Sequence, residues 1–360
     1  MKLTIESNIR DYDVVFEKNF DFLETLSKIE NSIMIIDRNV FSLYQEYFSN
    51  IDESNLFLFD AIEENKTFDY VKEIYDFLLR KSVKRNLTIV SIGGGITQDI
   101  TGFVASTLYR GVNWVFVPTT FLAITDSCIG SKTSLNYDKY KNLMGTFYPP
   151  SKIHINSDFL DTLKELDFFS GIGETIKFQL MKEEYPKDFS KIAALIDNVI
   201  SNKTSRLEII NDNMKIKLAY MKGDEFDLGR RNLLNYGHCF GHALETSSGY
   251  YVPHGIAVNI GMIFANLLSQ ERGLITSEDS GFINGNILLK NIPLKLREED
   301  FNEGILLEAM KNDKKRVGKY LTVIMPDSNF LMKKVDDVND LEFHKVFETL
   351  KQLFLLDTEN

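Results

Sequence analysis

Two cysteines in 360 residues, Cys128 and Cys239, are too few for a disulfide framework and point to a reducing compartment. Long apolar runs are also missing. The longest, around Gly255 to Leu268, is interrupted by Asn259 and Asn266 and is too short to span a bilayer. The start, Met1-Lys2-Leu3-Thr4-Ile5-Glu6, lacks the apolar core of a signal peptide, so a cytoplasmic protein is expected. Positive charge is in deficit: 41 Lys and Arg against 52 Asp and Glu give a net charge of -11. That argues against a general nucleic-acid binder, although a local basic pocket would stand out against such a background. Neither an internal repeat nor a low-complexity tract is present.

What is there is ordinary globular material, 44% hydrophobic and 26% charged. The length exceeds one comfortable core, so two domains are expected, an α/β domain over 1–165 and a mainly helical one over 166–360. In the first half, Ser32 to Asp37, Asn55 to Phe59, Leu87 to Ile92, Trp114 to Val117 and Lys152 to Ile155 read as strands. Phe68 to Leu79 and Ile96 to Tyr109 read as helices. Strands separated by helices predict a Rossmann-like, mostly parallel sheet. In the second half Ile172 to Lys182, Phe189 to Ile200, Arg206 to Met221, Leu233 to Thr246 and Ile256 to Leu268 read as helices, with one strand at Tyr320 to Met325.

Histidine is scarce, with five in all, yet His238, His242 and His254 fall close together. His238 and His242 are four apart, so a helix puts both imidazoles on one face. Such a group is a usual way to hold a divalent metal, and neutral imidazole suits zinc. The pair is either two metal ligands or one ligand and one proton carrier. Cys239 follows His238, which excludes the metalloprotease H-E-x-x-H pattern. The missing ligand should be a carboxylate, and Glu174, flanked by small residues with Lys177 one turn on, is the candidate.

A second signal is Gly93-Gly94-Gly95 between a strand and a helix, where glycines admit phosphates to the amides of a helix N-terminus. Asp37 ends the first predicted strand, either as a ribose-binding acid or as a helix cap before Val40. Thr119 and Thr120 follow another strand on the same sheet edge. Basic residues gather near the Asp126-Ser127 turn, namely Lys132, Lys139 and Lys141 with Asn142 beside them. Arg230 and Arg231 precede the histidine helix, and Lys314, Lys315 and Arg316 follow Asp313. Cations near a metal suggest an anionic substrate, a phosphate or a carboxylate.

At these residues the chain resembles the 3-dehydroquinate synthase family of sugar-phosphate cyclases, over roughly 30 to 325. The segments, in the family's order, are Glu63-Glu64-Asn65-Lys66, Gly93-Gly94-Gly95-x-x-x-Asp99, Tyr109-Arg110-Gly111, Val117-Pro118-Thr119-Thr120 and Asp126-Ser127-x-x-Gly130-Ser131-Lys132-Thr133. Next come Lys141-Asn142-Leu143-Met144-Gly145, Phe159-Leu160-x-Thr162-Leu163, Glu174-x-x-Lys177, Arg231 through Asn235 to His242, and His254-Gly255.

The resemblance implies an NAD domain, a helical domain and an active site in the cleft between them. It implies zinc or cobalt on Glu174, His238 and His254. It places NAD on Asp37, Glu63, Lys66, Gly93, Gly94, Gly95, Asp99, Thr119, Thr120 and Thr162, with Asp126, Lys141 and Phe159 counted in the cofactor set. Lys132, Asn142, Lys177, Lys217, Arg231, Asn235, His242 and Lys314 would serve the substrate. Arg110 looks like an arginine reaching a neighbouring subunit, which implies a homodimer. The implied reaction converts a seven-carbon keto acid phosphate, 3-deoxy-arabino-heptulosonate 7-phosphate, to 3-dehydroquinate and phosphate. A ring carbinol is oxidised transiently, phosphate is eliminated, the hydride returns, and an aldol closure forms the carbocycle.

Gln98, Ser131 and Ile256 depart from the family's usual glycine, glycine and glutamate. Asn136-Tyr137 and Phe147-Tyr148-Pro149-Pro150 resemble the branch that cyclises neutral sugar phosphates, whereas Arg231, Asn235 and His242 fit the carboxylated substrate. The alternatives are a cyclase of another seven-carbon sugar phosphate, an NAD- and metal-dependent polyol dehydrogenase, and a non-catalytic NAD-binding protein.

Overall fold

The computed structural model describes residues 1–138, 140–311 and 320–355. The chain divides into two compact units, Met1–Leu163 and Lys164–Asn360.

In the first unit the strands are β1 (Lys2–Ile5), β2 (Tyr12–Phe16), β3 (Ser32–Asp37), β4 (Leu56–Phe59), β5 (Thr88–Gly93), β6 (Asn113–Pro118), β7 (Lys132–Tyr137), β8 (Tyr140–Phe147) and β9 (Lys152–Ile155). Its helices are α1 (Asp21–Ser27), α2 (Arg38–Leu43), α3 (Phe68–Arg80) and α4 (Gly95–Thr107). Seven strands form one sheet in the order β1-β2-β9-β6-β5-β3-β4, parallel except for the β1–β2 pair. The central strands are buried along their length: Ile33 to Ile36, Ile89 to Ile92 and Trp114 to Val117. Parallel strands covered on both faces read as such continuous apolar runs, which is why the sequence revealed them. In α3, buried Val71, Ile74 and Leu78 keep helical spacing behind the Thr67 cap.

The chain runs from β3 outward to β4, then returns to β5 on the other side of β3 and continues to β6. This reversal makes the carboxyl ends of β3 and β5 a topological switch point, the usual ligand crevice of such sheets. Asp37 ends β3 and Gly93 ends β5, with Ile36 paired to Ile92 just before them.

The β7–β8 hairpin was not expected. The segment reads in sequence only as a cation cluster, because Thr133 and Leu135 alone of β7 are buried and β8 buries nothing fully. The strands approach closely at Gly145, where a Cβ would lie 2.2 Å from the Thr133 carbonyl oxygen. The Asp126-Ser127 turn is instead the end of a π-helical segment, Ala123–Ser127.

The second unit contains α5 (Glu165–Met181), α6 (Phe189–Ser201), α7 (Arg206–Met221), α8 (His238–Ser247), α9 (His254–Glu271), α10 (Ser277–Phe282), α11 (Glu303–Lys311) and α12 (Asp340–Leu355). A two-stranded antiparallel ribbon joins them, β10 (Leu321–Pro326) with β11 (Met332–Val338). β11, like β1 and β2, was not expected from the sequence; its Lys333, Lys334, Asp336 and Asp337 leave only Met332 and Val338 buried. Helix α9 is buried nearly all round, as the core helix of a large domain must be. Each asparagine that interrupts its apolar run has a partner: Asn259 donates to the Leu288 carbonyl, and Asn266 accepts from the Tyr236 hydroxyl. No helix among the described residues is long and apolar enough to cross a membrane.

One predicted helix is corrected. Leu233 to Thr246 is not continuous: a 3-10 turn spans Arg230–Asn235, Gly237 adopts φ +79°, and α8 starts at His238. The break is forced, because a Cβ on Gly237 would sit 2.5 Å from the Val258 carbonyl oxygen. Two other helices begin earlier than predicted, α5 at Glu165 and α9 at His254 directly after Pro253.

Candidate active site

In the first unit the glycine turn is built by two different constraints. A Cβ on Gly93 would lie 2.2 Å from Thr97 Oγ1, and one on Gly94 would lie 2.8 Å from Thr120 Cγ2. These two glycines are required by packing. Gly95 is not: its nearest neighbour would be Ser127 Oγ at 3.6 Å, an ordinary contact. Gly95 opens α4 with Gly94 as a cap that carries no side chain, so the first amides of α4 are left for another acceptor. Thr119 donates its amide to the Gly93 carbonyl, and Thr120 Oγ1 accepts from the Ala123 amide. Asp37 caps α2, accepting from the Asn39 amide at 2.9 Å.

Beside this turn lies a polar network. Buried Lys66 is ion-paired with Asp99 and donates to Asn142 Oδ1 at 2.7 Å. Ser134 Oγ lies 2.9 Å from Asp99 Oδ2 and 2.8 Å from Asn142 Oδ1. Asn136 donates to Glu63 Oε1 at 2.9 Å, and Lys141 lies 3.5 Å from the same oxygen. Five predicted residues, Glu63, Lys66, Asp99, Lys141 and Asn142, therefore meet. Ser134 went unnoticed because a lone serine in a polar strand carries no signal. Gln98, at a position where glycine was the usual residue, exchanges two hydrogen bonds with Ser127, each 2.7 Å. The Phe159 side chain is packed in the core against Phe20 and Tyr44, so only its main chain can face a ligand. Thr162 bonds the Tyr44 hydroxyl at 2.9 Å. Lys132 is exposed at the start of β7, Asp126 lies on the π-helical segment, and Arg110 is exposed at φ +63° after α4.

In the second unit three helices meet through glycines. A Cβ on Gly173 would lie 2.1 Å from the Gly255 carbonyl oxygen, and one on Gly255 would lie 1.8 Å from the Ser170 carbonyl oxygen. A Cβ on Gly261 would lie 1.9 Å from the Gly237 carbonyl oxygen. The backbones of α5 and α9, and of α9 and the turn before α8, are thus in direct contact. Glu174 and His254 are the residues next to the first contact. Close approach brings Nε2 of His238 and Nε2 of His254 to 3.5 and 3.4 Å from one oxygen, Glu174 Oε1. His242 completes the group, its ring centroid 5.2 Å from that of His238 and 5.4 Å from that of His254.

The outer nitrogens are held. Nδ1 of His238 lies 3.1 Å from the Tyr236 carbonyl oxygen, and Nδ1 of His254 lies 3.1 Å from Glu245 Oε2. With the proton on Nδ1, each ring offers the Nε2 lone pair inward, the tautomer a metal needs. Glu174 is 1% exposed, and neither carboxylate oxygen accepts a hydrogen bond, although the Lys177 ammonium lies against it as an ion pair. A buried carboxylate is costly unless cations serve it; Lys177 serves Oε2, and Oε1 faces the two imidazoles. The donor set of one carboxylate and two imidazoles fits a catalytic zinc-type ion with an open position. The two rings differ in their electrostatics, and a metal at His254 must displace a proton. Burial, with Lys177, His242 and His254 nearby, holds His238 well below the usual imidazole range. Burial also opposes the proton on His254, but Glu245 and Glu174 raise it to about 9. The sequence reading missed Glu245; its position on α8, one turn beyond His242, was the available signal.

Lys177 is buried on α5 and Lys217 on α7, which packs against α5. Arg231 and Asn235 lie on the 3-10 turn that leads into α8. Lys314 falls outside the described residues, as do Lys139, Lys315 and Arg316.

Residues 56–170 match the family model for the 3-dehydroquinate synthase N-terminal domain, and residues 171–316 match that for its C-terminal domain. The 3-dehydroquinate synthase of Clostridium tetani is 35% identical over 96% of this chain and 94% of its own length. That of Prochlorococcus marinus (strain AS9601) is 33% identical over 96% and 99%. The chain belongs to the 3-dehydroquinate synthase family. It is accordingly an enzyme. Solved structures share its fold. A 2-epi-5-epi-valiolone synthase from Streptomyces hygroscopicus, with NAD+ and Zn2+ bound, has TM-score 0.84 at 24% identity, covering 98% of this chain and 99% of its own. A 2-deoxy-scyllo-inosose synthase with carbaglucose-6-phosphate, NAD+ and Co2+ has TM-score 0.81 at 24% identity, covering 97% and 100%. An iron-containing alcohol dehydrogenase is a more distant fold relative, with TM-score 0.59.

Proposed function

We propose that this member of the 3-dehydroquinate synthase family is an NAD- and zinc- or cobalt-dependent cyclase that converts 3-deoxy-arabino-heptulosonate 7-phosphate to 3-dehydroquinate and phosphate. The observation that carries the reading is the convergence of His238 Nε2 and His254 Nε2 on one oxygen of the buried Glu174 carboxylate. Support for the substrate comes from the curated relatives, which are 3-dehydroquinate synthases at 30 to 35% identity.

Glu174, His238 and His254 would hold the ion, which supplies Lewis acidity at the substrate oxygen that changes charge during oxidation and reduction. NAD, when bound there, would supply reversible hydride acceptance at a ring carbinol, with no net reduction of the cofactor per turnover. Gly95 and the first amides of α4 receive the pyrophosphate, and Asp37 and Glu63 are acceptors for cofactor hydroxyls. Lys66, fixed by Asp99 and Asn142, places its own positive charge beside that cofactor set. Arg231 and Lys177 hold the carboxylate of the substrate, Arg231 through a planar fork that matches it. Lys132, Asn142, His242 and Lys314 hold the phosphate that leaves. Lys217 and Asn235 orient ring hydroxyls. Asp126, Lys141, Phe159 and Thr162 belong with the cofactor. Arg110 serves a second copy in a homodimer.

A second reading is a cyclase of another seven-carbon sugar phosphate. It is favoured by Gln98, which occupies the cofactor turn through its two bonds to Ser127. The test is phosphate release in the presence of NAD and zinc, assayed on the keto acid phosphate and on neutral seven-carbon phosphates. Release from the keto acid without net NADH is expected. Release from a neutral sugar alone supports the second reading, and net NADH from simple polyols contradicts both.

A further inference from the structure

We propose that Asp224 is a positioning residue, whose carboxylate folds the loop before α8 into the shape that presents Arg231 to the anionic end of the substrate. The inference rests on the reading of Arg231 as carboxylate holder. Asp224 Oδ1 accepts from the Leu228 amide at 2.8 Å. Its Oδ2 accepts from the amides of Gly229 and Arg231, each at 2.8 Å. One side chain thus gathers three successive-turn amides, including that of Arg231 itself. The guanidinium is tied to the same loop, donating Nη1 to the Glu225 carbonyl. Asn232 adds a second tie, from Nδ2 to the carbonyl of Asp227 at 3.1 Å and to its Oδ1 at 3.3 Å.

Apolar packing does not do this work. Leu228 at the loop's tip is 88% exposed and Phe226 is 40% exposed. A loop with so little buried surface holds one shape only through its polar bonds. The Arg231 side chain, in contrast, is buried. A rigid buried fork carried by an otherwise exposed loop is the arrangement in which preorganisation decides binding. Burial raises the proton affinity of Asp224, but the three amides and Arg231 outweigh it and hold its carboxyl below the usual range, so the clasp stays charged near neutrality.

The closing experiment is a double-mutant cycle of Asp224→Ala and Arg231→Ala in the zinc- and NAD-loaded enzyme. It reads kcat and KM for the keto acid phosphate, Ki for a seven-carbon phosphate lacking the carboxylate, zinc affinity and melting temperature. We expect Asp224→Ala to raise KM about tenfold, with a smaller change in kcat. The neutral Ki and the zinc affinity should stay unchanged, and no further loss should appear in the Arg231→Ala background. Independent, additive losses overturn the inference, because they mark a merely structural role. An unchanged KM in Asp224→Ala while Arg231→Ala raises it also overturns the clasp and leaves the carboxylate reading standing. An unchanged KM in Arg231→Ala overturns that reading first, and the clasp with it. If Asp224→Ala does not fold, Asp224→Asn keeps one strong acceptor oxygen, and a native KM in that folded variant contradicts the proposal.

Discussion

Glu245 Oε2 lies 3.1 Å from Nδ1 of His254, so the carboxylate accepts a hydrogen bond from the outer N–H of that ring and turns Nε2 toward Glu174. Such outer partners set the basicity and orientation of a ligating imidazole. Glu245→Ala should therefore weaken zinc binding by about 10- to 100-fold, and Glu245→Gln, which keeps an acceptor but no charge, should weaken it less. Competition against a chelating dye measures both. Native affinity in Glu245→Ala would remove this carboxylate from the account.

The glycine contacts give a second prediction. Gly255→Ala puts a methyl 1.8 Å from the Ser170 carbonyl oxygen, a backbone atom that cannot swing aside. The helices α5 and α9 must separate, which should cost about 1 to 3 kcal/mol or more and displace Glu174 from His254. A lower urea midpoint together with lost zinc affinity is expected. Retained affinity would mean that helix contact does not set the ligand geometry.

The three glycines of the cofactor turn should respond differently. Gly95→Ala meets only ordinary contact, so the melting temperature should hold while NAD affinity falls. Gly93→Ala collides with Thr97 and should lower both. NAD titration by protein fluorescence, beside thermal melts, separates the two. Tight NAD binding by Gly95→Ala contradicts the placement of the pyrophosphate.

Away from the site, His154 is stacked on Phe22 and bonded to Glu17 at 2.7 Å, with Lys152 also acting on it. Burial holds its pKa below the ordinary 6.5, against the pull of Glu17. Below 6.5 the unfolded chain binds this proton more readily than the folded one. The stability is thus present above that value and is lost as pH falls toward the folded pKa. Urea midpoints between pH 7 and 5 should decline, and His154→Gln should flatten the decline. An unchanged slope in the variant contradicts the assignment.

The sequence made the sheet's centre legible because β3, β5 and β6 are uninterrupted apolar runs, and it marked Asp37 and Gly93 at the ends of two of them; the switch point there depends on strand order, which it did not show. It hid the β7–β8 hairpin, whose inner face rests on Thr133 and Leu135 alone. It showed that His238 and His242 share a helix face but ran that helix through Gly237, whose tight contact with Val258 is a tertiary fact. The metal candidates were legible as residue types. Their convergence was not, because it depends on Gly173 and Gly255 letting two backbones touch, and glycine in a helix has no single meaning in sequence. Likewise Asp224 resembled any surface acid until its three amide partners were seen.

The most direct measurement is X-ray absorption at the zinc edge of the metal-loaded protein, compared with the His238→Ala and His254→Ala variants. Two imidazole nitrogens and a carboxylate oxygen should surround one ion, and each variant should lose one imidazole scatterer and most of its zinc. An ion that keeps its ligands in both variants, as one seated at the separate Glu303, His344 and Glu348 group would, contradicts the account.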